Sequence, residues 1–223
     1  MKNFILIFLL TLPFLIQAKD YTIGTGSEFK FNSEKSGNVN LSIYITESSF
    51  TRLGIEYFFS TTTSIIPVQL WQQFQLGLKD HGITLDGGYI QSDQMKKAET
   101  MSRDFLDNNP EGVNISDFFF SKQSDIDKYK IGIETQEVPA GSILATHYRK
   151  THADQTVDFW ISDKAGEIGL VKLQSKGKTN KDHDYTIELM SLLKNVKAKI
   201  NPKEAVPLSE QGKALLSKEK FKP

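Results

Sequence analysis

Short runs of alternating hydrophobic and polar residues dominate the first half of the chain. The clearest run covers residues 38–47, and its apolar members recur at every second position. A period of two residues is typical of a strand that buries one face. The pattern therefore predicts one strand at residues 38–47, a second at 52–60 and a weaker one near Phe29 and Phe31. The residues predicted to face the core in the strand at 38–47 are Val39, Leu41, Ile43 and Ile45. In the strand at 52–60 they are Leu53, Ile55, Tyr57 and Phe59.

The second half of the chain contains five further short runs that are rich in β-branched and aromatic residues. Turn residues separate them, including the Val138-Pro-Ala-Gly141 turn. Runs of this length and spacing favour consecutive hairpins, and therefore an antiparallel meander. The predicted strands are 131–138, 142–150, 156–163, 169–176 and 185–189.

Between these two regions the pattern is less regular. Residues 65–78 fit a helix, favoured for about Pro67 to Phe74, but they also fit a strand with bulges. The tripeptide Asp86-Gly87-Gly88 predicts a hairpin turn within residues 82–90. Short helical segments are predicted at 98–106, at 124–129 and, capped by Ser209, from there to about Lys218.

Large side chains in the meander alternate between its two faces, so both faces carry apolar residues. Val157, Phe159 and Ile161 are predicted to share one face, with Trp160 on the other, and Leu170 is predicted to oppose Leu173. Because exposed apolar surface is costly, each face needs a cover. Helices and strands from residues 60–130 could supply all of it, or part of one face could remain open as a lipid-sized groove. The candidate ligand-binding residues are Tyr148, Phe159, Trp160, Ile161 and Leu170.

The N-terminal residues have the features of an export signal. Lys2 precedes the apolar run from Phe4 to Leu15, and Ala18 offers a small residue for cleavage. We therefore expect a signal peptide at residues 1–18, a periplasmic or secreted mature protein, and no transmembrane segment after signal removal. The expected organisation is one β-rich domain at residues 19–200, followed by a polar C-terminal tail with a short helix at residues 201–223.

Composition narrows the classes of partner. Without Lys2 the chain carries 26 Lys and Arg against 27 Asp and Glu, so no concentrated basic field points to nucleic acid. The chain has no Cys, which excludes disulfides and lipid attachment through a signal-peptide Cys. The core must therefore supply the stability of the domain unaided.

No group of residues predicts catalysis. His147 and His152 lie five positions apart with Asp154 nearby, but exposed hairpin positions explain them better than a metal site does. The chain has no Gly-x-Ser-x-Gly nucleophile elbow and no P-loop. Asp158 and Asp163 could form the carboxylate pair of a hydrolase, but turn formation is the simpler interpretation. Arg149 and Lys150 are predicted to form a cross-strand ion pair with Asp158. We expect a non-enzymatic protein without metal or cofactor.

The order of turns and strands between Gly132 and Leu189 resembles that of uncharacterised exported bacterial proteins related to the LolA/LolB-like lipoprotein-carrier fold. The resemblance lies in the Val138-Pro-Ala-Gly141 turn and in the strands 146–149 (THYR), 158–162 (DFWIS), 169–172 (GLVK) and 185–189 (YTIEL). It implies an incomplete antiparallel barrel with helices packed on its open side. The carriers hold acyl chains in the hollow, but no ligand-contact motif of theirs can be matched here.

Two functions remain open from the sequence. The first is binding of a hydrophobic or acylated ligand, a lipid or lipoprotein, in a half-barrel groove. The second is a structural or protein-interaction module of the cell envelope with a sealed core. Its interaction patch would be the consecutive aromatic residues Phe118, Phe119 and Phe120, which one face of a strand cannot all bury. The Lys-rich tail from Lys213 also favours this second function. In both cases the predicted fold is mainly β (α+β), a curved antiparallel sheet or incomplete barrel covered by a few short helices.

Overall fold

Antiparallel strands make up most of the described structure. The computed structural model describes residues 21–34, 37–61, 69–79, 82–103, 106, 126–151, 154–179 and 181–216. Within these ranges all strands belong to one twelve-stranded sheet, which is curved and does not close. The predicted fold class is therefore confirmed.

The first half of the chain forms a meander in which each strand pairs antiparallel with the next. Its strands are β1 (Gly26–Ser33), β2 (Gly37–Ser48), β3 (Arg52–Thr61), β4 (Gln69–Lys79), β5 (Gly82–Ser92) and the short β6 (Glu99–Thr100). The three strands predicted from residues 29–60 are confirmed.

A second antiparallel meander follows and joins the first through the pairing of its last strand with β1. Its strands are β7 (Lys130–Val138), β8 (Gly141–Thr151), β9 (Gln155–Ile161), β10 (Leu170–Gly177) and β11 (Tyr185–Leu193). All five strands of the predicted meander are present. At the β7–β8 turn, the Ala140 N–H donates to the Leu189 carbonyl of β11 at 3.1 Å, which shows how strongly this end of the sheet curls.

One face of the sheet, here called the apolar face, carries most of the core. The cross-strand register aligns Phe29, Leu41 and Phe59 on adjacent strands, and all three are almost completely buried. Further along the sheet, Phe159, Leu173 and Ile187 continue the same face through β9, β10 and β11. Because the chain has no disulfides, burial of this continuous apolar surface stabilises the fold.

The C-terminal segment crosses the opposite face of the first meander and reaches its far edge. There β12 (Val206–Pro207) pairs in parallel with β6, and helix α1 (Glu210–Leu216) follows. Glu99 accepts hydrogen bonds from the backbone N–H and the hydroxyl of Ser209, at 2.8 and 2.6 Å. The Ser209 hydroxyl in turn accepts from the Gly212 N–H at 3.1 Å, so the predicted Ser209 cap is confirmed.

Glu56 holds the same C-terminal segment at a second point. Its side chain is completely buried and accepts four hydrogen bonds, two of them from the backbone N–H groups of Lys199 and Ile200 at 2.7 and 2.9 Å. The other two donors are Tyr44 Oη at 2.5 Å and Gln73 Nε2 at 3.1 Å. Burial, the charge of Glu56 and the hydrogen bond to it raise the pKa of the Tyr44 phenol. The four donors satisfy the hydrogen-bonding capacity of this buried carboxyl group, which links the C-terminal segment to β2, β3 and β4.

The prediction of a helix at Pro67–Phe74 is wrong for its described part. Residues 69–79 form β4, in which Leu70, Phe74 and Leu76 alternate onto the apolar face. The helical spacing of Trp71 and Phe74 is coincidental, because Trp71 lies on the opposite face from Phe74. Pairing with β3 and β5 on both sides overrides the local preference.

The predicted hairpin turn at Asp86-Gly87-Gly88 is also wrong. These residues lie inside the continuous strand β5, where Asp86 is the extra residue of a β-bulge opposite Gln75 and Leu76. Gly88 serves close packing: a Cβ there would lie 2.8 Å from Leu106 Cδ2 and 2.9 Å from Met101 Sδ. Glycine in a strand often marks a bulge or a close approach, and both occur here.

The shorter helical predictions have mixed outcomes. Residues 98–106 begin as strand β6, and a helical hydrogen bond joins the Leu106 N–H to the Ser102 carbonyl at 3.1 Å. A helical turn is present at Ile126–Tyr129, where the Tyr129 N–H donates to the Ile126 carbonyl. The predicted signal peptide at residues 1–18 lies outside the described residues.

Candidate functional site

The aromatic pair Tyr148 and Phe159 lies at the centre of the predicted ligand-binding residues. The two residues are directly opposite on β8 and β9, and their rings stack with centroids 5.2 Å apart and planes 12° apart. Both side chains are buried on the apolar face. An offset stack of this kind stabilises the pair beyond its buried area and makes a rigid floor.

Ile161 and Leu170 extend this floor along the same face. The two residues pair across β9 and β10; Leu170 is fully buried, whereas Ile161 is only half-buried. The prediction that Leu170 and Leu173 lie on opposite faces is wrong, because a β-bulge at Val171 brings them to the same face.

Trp160 lies on the opposite face, as its position in the alternation predicts. Its ring stacks on His147 with centroids 4.5 Å apart, and its indole N–H donates to Glu134 Oε1 at 2.5 Å. The five predicted ligand-binding residues therefore do not form one surface. Tyr148, Phe159, Ile161 and Leu170 share the apolar face, and Trp160 belongs to a polar cluster behind it.

His147 is the centre of that polar cluster. Its Nε2 lies 2.6 Å from Asp158 Oδ1, and its Nδ1 lies 3.2 Å from Glu134 Oε1. Arg149 Nε also donates to Asp158 Oδ1 at 2.7 Å, which confirms the predicted ion pair for Arg149. This hydrogen bond and the carboxylate charge raise the pKa of the Arg149 guanidinium. The carboxylates approach opposite nitrogens of the imidazole, so the ring links β7, β8 and β9.

Lys150 does not join the ion pair predicted for it. It is buried on the apolar face, and its Nζ lies 5.8 Å from the centroid of the Tyr129 ring. Its position two residues from Tyr148 places it beside the aromatic floor. The alternation of strand side chains separates it from Arg149 and Asp158.

An exposed apolar surface, here called the hairpin patch, adjoins the aromatic floor. It consists of Ile131, Ile133 and Leu144 on β7 and β8, which are 58, 62 and 55% exposed. Thr146 pairs with both Ile133 and Ile161, so the row Ile133–Thr146–Ile161 connects the patch to the floor on one face. Three exposed large aliphatic side chains on one hairpin are a typical sign of a binding surface.

Burial along β8 explains why the patch is exposed. Ile143, Ala145 and His147 are buried on one face, whereas Tyr148 and Lys150 are buried on the other. Up to His147 the buried side chains of β8 lie on the face opposite the apolar face, and from Tyr148 onward they lie on the apolar face. Leu144 lies on the apolar face before this change, so it is exposed. Ile133 and Leu144 were not among the predicted ligand-binding residues, although both lie in predicted strands.

Several other predictions concern residues beyond the described ranges. The Phe118–Phe120 interaction patch and His152 both lie outside them. Among the described helices, none combines the length and the hydrophobicity that a membrane crossing requires.

Comparison with known proteins adds little to this geometry. No protein-family profile matches the chain. No curated protein matches it either. Three solved structures are similar to it at 10 to 12% identity.

The first is a protein of Bacteroides fragilis proposed to be exported and described as having a YmcC-like fold. It has a TM-score of 0.42 and 12% identity, with 82% of this chain and 98% of that chain covered. The second, a proposed lipoprotein of Parabacteroides distasonis, has a TM-score of 0.37 and 11% identity, with 79 and 100% covered. The third, a hypothetical protein of Chlamydia trachomatis, has a TM-score of 0.46 and 10% identity, with 83 and 93% covered. None of the three descriptions names the lipoprotein-carrier fold, and at these scores the likenesses carry no functional conclusion.

Proposed function

We propose that this chain is a non-enzymatic envelope protein that binds a hydrophobic or acylated molecule on the apolar face of the β7–β10 meander. The single observation that carries the proposal is the continuity of the apolar face from the buried floor into the exposed hairpin patch. The floor is Tyr148 and Phe159, and the surface continues through half-buried Ile161 to Ile133.

The chemistry of this surface suits an acyl chain. Ile133, Leu144 and Ile161 offer aliphatic contacts without hydrogen-bonding groups, and Thr135 and Thr146 lie among them with one hydroxyl each. Burial of apolar surface stabilises such a complex by about 25 cal/mol for each Å² removed from water. The polar cluster around His147 lies on the other face, so it would hold the strands in place without contacting the ligand.

The envelope location in this proposal is supported by the apolar N-terminal run after Lys2, which has the composition of an export signal. The proposed relation to the lipoprotein-carrier fold rests on the turn and strand residues between Gly132 and Leu189 and on the curved, unclosed sheet.

Protein purified from its own envelope and studied by native mass spectrometry tests the proposal. We expect a co-purifying lipid or acylated peptide, and displacement of a dansyl-labelled fatty acid by that molecule. The absence of co-purifying lipid, together with no binding of fatty acids or lipopeptides, would overturn the proposal.

Matched variants locate the site. Ile133→Asp and Leu144→Asp should each weaken binding of the dansyl-labelled fatty acid by at least tenfold, because each places a charge on the apolar surface. Phe50→Asp is the control: Phe50 is fully exposed at the β2–β3 turn, six strands away from β7 in the order of the sheet. Equal binding by all three variants would exclude the hairpin patch.

A further inference from the structure

The end of the sheet at which β2 turns into β3 presents apolar side chains to solvent. Phe50 lies at the tip of this turn, and no other large apolar side chain among the described residues is as exposed. Ile23, in the segment before β1, is 59% exposed. Because an exposed apolar side chain forgoes the free energy of burial, two of them at one end of a sheet indicate a contact surface.

Backbone hydrogen bonds place three segments side by side at this end. Gly24 is bonded on both sides: its N–H donates to the Ile45 carbonyl of β2 at 2.8 Å, and its carbonyl accepts from the Val196 N–H at 2.9 Å. The segment before β1 therefore lies between β2 and the chain that follows β11. Beyond Ile45, β2 continues to the turn that carries Phe50. The surface formed here, called the end rim, consists of residues 22–25, 49–52 and 194–197.

The turn that presents Phe50 is held by hydrogen bonds. The Ser49 N–H donates to the Arg52 carbonyl at 2.9 Å, and the Arg52 N–H donates to Ser49 Oγ at 3.1 Å. The Thr51 carbonyl accepts from the Leu78 N–H of β4 at 2.8 Å. A bonded turn presents the Phe50 ring in a fixed position, so binding through this ring would require little ordering of the backbone.

The charged residues of the end rim are all basic. Arg52, Lys194 and Lys197 are exposed, and the three segments contain no Asp or Glu. The whole chain carries 27 basic and 27 acidic residues, so the positive charge here is a local excess. The flanking acids Glu28 and Glu47 lie within strands and are partly buried. Cations beside exposed apolar side chains are the combination that binds an anionic bilayer surface.

We propose that the end rim docks on an anionic phospholipid bilayer. Phe50 and Ile23 would enter the boundary between head groups and acyl chains, and the three cations would pair with phosphate groups. The contact is peripheral and sensitive to salt, because the charges that make it are exposed. The inference does not depend on the proposed acyl-binding function, since β2 and β7 are six strands apart in the order of the sheet.

Co-sedimentation of the mature protein with vesicles of phosphatidylglycerol and phosphatidylcholine in equal parts tests the proposal. Binding at low salt should weaken at least tenfold in about 0.5 M NaCl and with vesicles of phosphatidylcholine alone. Phe50→Asp should weaken binding at least tenfold, whereas Phe50→Trp should retain it, because tryptophan also prefers the membrane interface. The double variant Lys194→Gln, Lys197→Gln should weaken binding about tenfold. Thermal unfolding of each variant checks that the fold is intact.

Matched controls separate the end rim from other surfaces. Lys176→Gln should bind the vesicles normally, because Lys176 is exposed at the opposite end of the sheet, next to the Ser175–Tyr185 pair. Ile133→Asp should also bind them normally, whereas Phe50→Asp should keep its binding of the dansyl-labelled fatty acid. Failure of one proposal is therefore distinguishable from failure of the other.

Two results would overturn the proposal. One is the absence of binding to the phosphatidylglycerol vesicles, or equal binding by Phe50→Asp and the unmodified protein. The other is a dimer in size-exclusion chromatography with light scattering that Phe50→Asp dissociates, without any binding to vesicles. That second result would assign the end rim to contact with another copy of the chain.

Discussion

The backbone N–H of Ile200 donates a hydrogen bond to Glu56 Oε2 at 2.9 Å, although the two residues are 144 positions apart in the chain. Together with the bond from Lys199 to Oε1, this contact fastens the C-terminal segment across β2, β3 and β4. The same segment reaches Glu99 through Ser209. Two buried carboxylates therefore join the end of the chain to the first meander.

Replacement of Glu56 should destabilise the protein more than its small volume change suggests. In Glu56→Gln, an amide N–H₂ replaces one acceptor oxygen and therefore faces the backbone N–H of either Lys199 or Ile200, which loses its acceptor. Because hydrogen bonds to a charged group contribute about 1.5–3 kcal/mol, we expect a loss of about 2–3 kcal/mol in the free energy of unfolding, measured by urea denaturation.

Glu47→Gln is the matched control, since Glu47 lies on β2 and is partly exposed. It should change the free energy of unfolding by no more than about 0.5 kcal/mol. Equal stability of the two variants would show that the C-terminal segment does not depend on Glu56.

Alkaline pH should destabilise the protein between about pH 10 and pH 12. Burial raises the pKa of Tyr21 to about 12, with a contribution from the negative charge of Glu167, and burial also raises the pKa of Tyr185 to about 12. An unfolded tyrosine ionises near pH 10, so between about pH 10 and pH 12 the unfolded state loses protons that the folded state keeps. The stability is therefore complete below about pH 10 and declines above it, by up to about 1.4 kcal/mol per pH unit for each such group.

Urea unfolding between about pH 9 and pH 12, followed by circular dichroism, measures this decline. The double variant Tyr21→Phe, Tyr185→Phe removes two ionisable groups, so its free energy of unfolding should fall less steeply over the same range. An identical slope for the variant and the unmodified protein would contradict the assignment to these two residues.

Two adjacent glycines should differ sharply in their tolerance of a methyl group. In Gly88→Ala the new Cβ would lie under 3 Å from Leu106 and Met101, so the core must shift, and we expect a loss of about 1–3 kcal/mol. In Gly87→Ala the nearest atoms are 3.4 Å away, on Gln75 and Tyr89. That variant should be within about 1 kcal/mol of the unmodified protein by thermal unfolding, and the opposite order would contradict the packing described here.

Truncation of the aromatic floor should be costly in the absence of any ligand. Phe159→Ala removes a buried ring that stacks on Tyr148, so a loss of about 3–5 kcal/mol is expected by chemical denaturation. Ile133→Asp lies in the exposed hairpin patch and should cost about 0.5 kcal/mol or less. A small effect of Phe159→Ala would mean that the ring is not part of the folded core.

The strands of both meanders could be predicted because their signal is local. In residues 38–47 and 156–163, alternation of apolar and polar residues reports directly which side chains share a face, and the register confirms it for Phe159, Ile161 and Trp160. The attachment of the C-terminal segment escaped prediction, since Glu56, Gln73 and Ile200 come from distant parts of the chain. The helix predicted at Pro67–Phe74 and the turn predicted at Asp86-Gly87-Gly88 failed for the same reason: pairing with neighbouring strands decides both.

The amino-acid sequence by itself determined the strand-rich character of this protein, the order of the second meander and the capping of α1 by Ser209, because each depends on residues close together in the chain. Only the tertiary structure decided that β11 pairs with β1, that Glu56 and Glu99 hold the C-terminal segment, and that Ile133 and Leu144 are left exposed beside Tyr148 and Phe159. Those contacts join residues far apart in the chain, and their formation depends on the curvature and register of the whole sheet. No local pattern contains that information.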